Sequence, residues 1–230
     1  MQKQGTIITA ETFRFFRELG RNNHKSWMDE NRERYREQVV EPLRRLLDAL
    51  TPAVRKLHSG FAVGGRSGEN FSRINRDIRF ANDKTPYRTQ MYLFFSRAAA
   101  PGRSGGQLYV GLSPETVTVG FRIYLESRES TLWRVGIPRA IENAAWLERR
   151  RKKFARKYES YWYSSEKGEW KKHPGWPRDA KEWKKTKGWI VRRRFAPAAA
   201  TRSGFVRDVE KIFHELFPLF AFSSLPEWKP

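Results

Sequence analysis

The clearest regularity in the chain is a strict two-residue alternation. Val117, Val119, Phe121 and Ile123 place apolar side chains on one face of "TVTVGFRIYL" (116–125), the period of a half-buried strand. "QLYVGLS" (107–113) precedes it across a Ser-Pro-Glu turn, and "QMYLFFSR" (90–97) is apolar on both faces, as suits a central strand. These runs predict an antiparallel meander. "YESYWYS" (158–164) and "WIVRRRF" (189–195) predict two more strands, about five in all.

Helical spacing frames the strands. Phe13, Phe16 and Leu19 recur after Thr9, a candidate N-cap, with Glu11 in the first turn and Gly20 as a stop. Ser26 and Asp29 have capping-box spacing and open a second helix toward Val40. Pro42 either kinks that helix or starts another, along which Leu43, Leu46, Leu47 and Leu50 continue the apolar stripe. Helical residues return over 129–157, interrupted by Gly136 and Pro138. Phe205, Val209, Ile212, Phe213, Leu216 and Phe220 predict a final helix, ended or bent at Pro218. The order of helices, strands and helices predicts an α+β fold. In it, N-terminal and C-terminal helices pack on an antiparallel β-sheet, and residues 1–230 form a single domain.

Composition narrows the chemistry. Hydrophobic residues make up 39% of the chain, enough for a core, although charged residues reach 31%. The absence of cysteine excludes a disulfide framework, a thiolate nucleophile and a cysteine zinc site. His24, His58, His173 and His214 show no paired ligand spacing and acidic residues are scarce, so no metal site is expected, although Asp77, Asp83 and a distant residue could hold a divalent ion. With no Walker loop and no dinucleotide fingerprint, no cofactor is expected. "GRSGG" (102–106) matches G-x-S-x-G, but a strand follows where a nucleophile elbow needs a helix, so Ser104 reads as a hairpin residue. No apolar stretch approaches the roughly 18 residues of a membrane span. The N-terminus lacks the pattern of a signal peptide, and a cytoplasmic protein is expected. The formal charge of +21 attracts polyanions.

The chemistry concentrates in "RINRDIRFANDKTPYR" (73–88). Five cations, Arg73, Arg76, Arg79, Lys84 and Arg88, face only Asp77 and Asp83. A helix would line up Arg73, Arg76 or Asp77, Phe80 and Lys84, but Pro86 and Asn82-Asp83 bracket the segment. As an extended segment, Arg73, Asn75, Asp77 and Arg79 point one way. Ile74, Ile78 and Phe80 point the other and can anchor in the core, with Arg76 the exception on the apolar side. Asn82-Asp83 suits a turn, and Pro86 holds Thr85 extended. Asp77 cannot neutralise all its neighbours, and guanidinium forks suit phosphate or carboxylate. Arg73, Arg76, Arg79 and Lys84, with the Tyr87 hydroxyl, thus form a candidate anion pocket.

The run Arg73-x-x-Arg76-Asp77-x-Arg79-Phe80-x-x-Asp83-Lys84-x-Pro86-Tyr87 resembles the signature of a bacterial family of conserved hypothetical proteins, domain of unknown function 2461. "FRFFRELGRNNHKSWMDENRERYREQVVEPL" (13–43) is similar to the same family. The resemblance implies one domain over nearly the whole chain and names no activity. On a helix, Asn23, Trp27, Asn31 and Tyr35 fall at spacing four and share a face. They are either a second wall of a ligand site or a polar seam docking the helix on the sheet.

A second basic region lies downstream. Residues 149–194 carry eighteen Lys or Arg against five Asp or Glu, together with Trp162, Trp170, Trp176, Trp183 and Trp189. Aromatics interleaved with cations suit single-stranded nucleic acid, whereas irregularly spaced tryptophans also serve as core plugs. Three functional readings follow. In the first, the chain recognises a phosphate- or carboxylate-bearing ligand, which can be part of a nucleic acid. In the second, an enzyme uses Asp77 as general base or metal ligand while the arginines stabilise developing negative charge. In the third, the motif is an internal brace.

Overall fold

Phe13, Phe15, Phe16 and Leu19 are all buried on α1, Ala10–Arg21, in the computed structural model, which describes residues 6–98, 105–125 and 127–230. Thr9 is extended at the N-cap, but its hydroxyl makes no cap bond and is buried without a partner among the described residues. The helix passes Gly20, and the Asn22 N–H closes it on the carbonyls of Glu18 and Leu19.

The expected helix from Ser26 to Val40 is broken into short pieces: α2, Lys25–Glu30; α3, Arg32–Tyr35; and a π-helical turn, Arg36–Val40. Its cap is His24, whose Nδ1 accepts the Trp27 N–H at 3.3 Å and contacts the Ser26 hydroxyl at 2.9 Å. Asn31 makes the break. Its side-chain amide donates to the Trp27 carbonyl at 2.9 Å, a local bond that competes with the helix. Pro42 starts a new helix, in the first turn of α4, Glu41–Leu57, where its missing N–H costs nothing. α4 buries Leu43, Leu46, Leu47, Leu50 and Val54.

Among the described residues six strands form one antiparallel sheet, where about five were expected. They are β1, Met91–Phe95; β2, Gln107–Leu112; β3, Val117–Tyr124; β4, Glu159–Glu166; β5, Glu169–Pro174; and β6, Thr186–Phe195. The order is β1-β2-β3-β6-β4-β5. The meander is therefore as the alternation predicts, and β6 fills the place between β3 and β4. The unexpected strand is β5. Five of its six residues are exposed, so no apolar face announces it, and its lysines suit an edge strand. Ser104 lies outside the described residues.

The chain divides into two compact units. One holds residues up to Phe94 with Val110–Thr118 and Arg194–Lys211, and the other holds Phe95–Tyr109, Val119–Arg193 and Ile212–Pro230. The first contains the 73–88 segment. The second contains the tryptophan-rich region as far as Arg193, and its helices include α5, Ile137–Glu142; α6, Ala144–Phe154; and α7, Ala180–Lys185. Trp189 is 1% exposed and meets Phe121, Trp176 and Trp183 edge-on at 5.5, 4.7 and 5.4 Å between ring centres. Trp162 is buried as well, so four of the five tryptophans of this region are core plugs and Trp170 alone of the five is exposed. After the single turn α8, Pro197–Ala200, the last helix, α9, Phe205–Ser224, continues through Pro218 instead of ending there. Among the described residues no helix is long and apolar enough to cross a membrane.

Candidate anion-binding site

Residues 73–88 form an irregular antiparallel pair that never becomes a regular strand. The Arg76 N–H donates to the Pro86 carbonyl at 2.8 Å and the Arg88 N–H to the Ile74 carbonyl at 2.7 Å, with Asn75 bridging Tyr87. Pro86, which has no N–H to give, sits where only its carbonyl is needed. The alternation holds from 73 to 79: Arg73, Asn75, Asp77 and Arg79 are exposed, whereas Ile74, Arg76 and Ile78 are half-buried. Phe80 departs from it. It lies at the tip, 94% exposed, because the chain turns there before a partner surface covers it.

The acids divide the cations between them. Asp77 accepts from Arg79 Nε at 3.0 Å and Nη2 at 2.7 Å, a two-pronged pair. Arg76 turns away from Asp77 and bonds the Asp83 carboxylate and the Thr85 hydroxyl. Asp83 also accepts the Thr85 N–H at 2.9 Å. That backbone bond, then Arg76, holds the Asp83 carboxyl at about 2, below its ordinary 3.8. The Arg79 side chain likewise lowers Asp77. Lys84 Nζ donates to the Ile78 carbonyl at 3.1 Å.

The helical stripe is dealt out one residue at a time. Asn23 binds the Tyr87 backbone with both ends of its amide, donating to the carbonyl at 2.9 Å and accepting the N–H at 3.0 Å. Trp27 and Tyr35 pack on Phe15 with ring centres 5.5 and 5.7 Å away. Asn31 serves the helix break. Tyr35 does more than pack, because it also lines a cleft of about 340 Å³.

Two arginines of the segment, Arg73 and Arg88, have no side-chain ion pair or hydrogen bond among the described residues, and of these Arg73 lines that cleft. The cleft lining includes Tyr35, Arg44, Ser67, Ser72, Arg73 and Asn75 together with the buried Phe71 and Met91. Arg73 has no ion pair or hydrogen bond among the described residues. The Tyr35 hydroxyl also has no hydrogen-bond partner among them, and burial pushes its pKa up to about 12, so it stays a neutral donor. Arg44 pairs with Glu41 at 3.2 Å. The wall carrying Tyr35 and Val40 flanks the π-helical turn, a distortion that recurs at functional sites.

The sequence marks none of Arg44, Ser67 and Ser72 as a site residue, and it places Asn75 only on the face shared with Arg73, Asp77 and Arg79. Arg44 lies between the leucines of an apolar stripe, and Ser67 lies in the glycine-rich loop. Asn70 organises that loop. It is fully buried, donates to the carbonyls of Ala62 and Phe94, and accepts the Gly65 N–H. The second unit holds a larger cleft of about 800 Å³. Its wall residues Arg151 and Glu148 pair with each other, Arg178 pairs with Glu182, and the Tyr158 hydroxyl donates to Glu215. Among the described residues no group of three acidic or histidine side chains is placed to hold a metal ion.

No curated protein matches the chain. A family model does, from residue 11 to residue 222 and so across both clefts: the chain belongs to the conserved hypothetical protein family DUF2461.

Proposed function

We propose that this protein recognises a phosphate- or carboxylate-bearing ligand in the cleft beside Arg73. The observation that carries the reading is the unequal division of charge in the motif. Arg76, Arg79 and Lys84 are committed to Asp83, Asp77 and a main-chain carbonyl, which makes them the frame. Arg73 and Arg88 have no such partner among the described residues, and of the two Arg73 lines a cleft that also includes Arg44 and Tyr35. A guanidinium with free donors, a second cation and a neutral phenol suit an oxyanion. The chain's +21 charge would raise the local concentration of such a ligand. Tyr87 enters through its backbone, which Asn23 holds.

The enzyme reading has less behind it. Asp77 is exposed, lies outside the cleft wall and has its carboxyl held low by Arg79, which makes it a weak base near neutrality. Thermal unfolding with inorganic phosphate, sulfate and citrate tests the anion reading. At least one should raise the melting temperature of the wild type and leave Arg73→Ala unmoved. The variant's own melting temperature should match the wild type, since Arg73 braces nothing. Equal shifts in both proteins, or none in either, would overturn the assignment.

A further inference from the structure

In the second unit, the pairing of β4 with β5 and β6 sorts the aromatic residues by face. Trp162 lies opposite Trp189 in the register, on the buried side. Tyr163 lies opposite Lys172 and Ser165 opposite Trp170, and residues directly opposite share a face. Tyr161, Tyr163, Trp170 and Lys172 therefore stand together on the other side, with Arg192, which pairs with Glu159 in the β6 register.

The rings on this side are close. Trp170 lies 6.0 Å from Tyr163 and 6.4 Å from Tyr124, and those tyrosines lie 6.4 Å apart. Lys172 Nζ stands 3.8 Å over the Tyr161 ring and the Arg192 guanidinium 5.2 Å over it. Cross-strand aromatic packing alone stabilises a hairpin, but it does so by covering its rings. Trp170 is 52% exposed, whereas the other four tryptophans of the region are 1–7% exposed.

We propose that this face is a stacking platform for single-stranded nucleic acid, independent of the anion cleft. Rings held on rigid strands present π-surfaces to successive bases, and the cations beside them meet phosphates. Residues 149–194 supply the complementary charge, eighteen basic residues against five acidic. A lipid surface suits the site less well. The β4–β5 turn is Lys167-Gly168, both with positive φ, so the tip that would enter a bilayer is charged. In a duplex the base faces are stacked on each other and cannot reach the platform.

The test is fluorescence anisotropy of a labelled oligothymidylate over a series of salt concentrations. Wild type should bind the single strand more tightly than the matching duplex, with its tryptophan emission quenched. Trp170→Ala should weaken binding roughly 5- to 150-fold, the range for losing one stacked base, with the salt slope unchanged. Trp170→Phe should recover most of the affinity, which separates stacking from folding. Lys172→Ala should flatten the salt slope instead. The proposal is overturned if Trp170→Ala binds like wild type, if duplex, heparin or phosphatidylserine vesicles compete as well as the single strand, or if no oligonucleotide binds.

Discussion

Asn23 and Tyr87 are 64 residues apart, yet the amide of one takes both backbone groups of the other, at 2.9 and 3.0 Å. The bond pair fixes the 73–88 segment to the start of α2 without using the tyrosine side chain. Asn23→Ala leaves a partly buried donor and acceptor unmet, and should cost roughly 1–3 kcal/mol. Urea unfolding measures this. Anion-dependent stabilisation should weaken in the same variant, because the clasp sets the loop against which Arg73 is held.

Phe80 predicts the opposite. The sequence assigns it to an apolar face with Ile74 and Ile78, but it is 94% exposed, 5.9 Å from the Arg79 guanidinium. Phe80→Ala should therefore change stability by no more than about 0.5 kcal/mol, as for other surface sites. A loss near the roughly 3–5 kcal/mol of a core phenylalanine would mean that the side chain is buried in solution.

These two residues mark how far the sequence can be read. Where period and burial act together, as in Val117, Val119, Phe121 and Ile123, the strand is plain. The alternation from Arg73 to Arg79 is plain too, including Arg76 on the half-buried side. Which acid takes which arginine is not legible, because the turn at Asn82-Asp83 decides it by bringing Asp83 and Thr85 back to Arg76. β5 is hidden for another reason: both its faces are polar, and only its register with β4 makes it a strand. The tryptophans of 149–194 look alike in composition, and only the packing around Trp189 separates the buried ones from Trp170. Arg73 was legible as a candidate, but its freedom was not, since that depends on what its neighbours bind.

The Asp83 pairing predicts an acid sensitivity. Its folded carboxyl sits at about 2 against an ordinary 3.8. A depressed carboxyl stabilises the fold at pH above its unfolded value, and that contribution is lost as pH falls through the folded one. Between pH 5 and 8, wild type should be more stable than Asp83→Asn by a constant margin. That margin should shrink as the pH drops below about 4 and vanish only below about 2. A margin independent of pH across this window would show that the carboxylate charge does not hold the turn.

Gly188 links backbone to platform. A Cβ there would come within 2.7 Å of the Tyr124 ring, so the ring lies over bare backbone and reaches Trp170 from that position. Gly188→Ala has to displace Tyr124, a movable side chain. The change also removes freedom from the unfolded chain, which offsets part of the strain by about 0.4–1 kcal/mol. Overall stability should therefore fall little while the aromatic contact is lost. Near-ultraviolet circular dichroism should change, and oligothymidylate affinity should fall although no basic residue has been touched. Unchanged dichroism together with a large loss of stability would place the strain in the backbone instead, where Gly188 also lies near the Ile123 carbonyl at 3.5 Å from the added carbon.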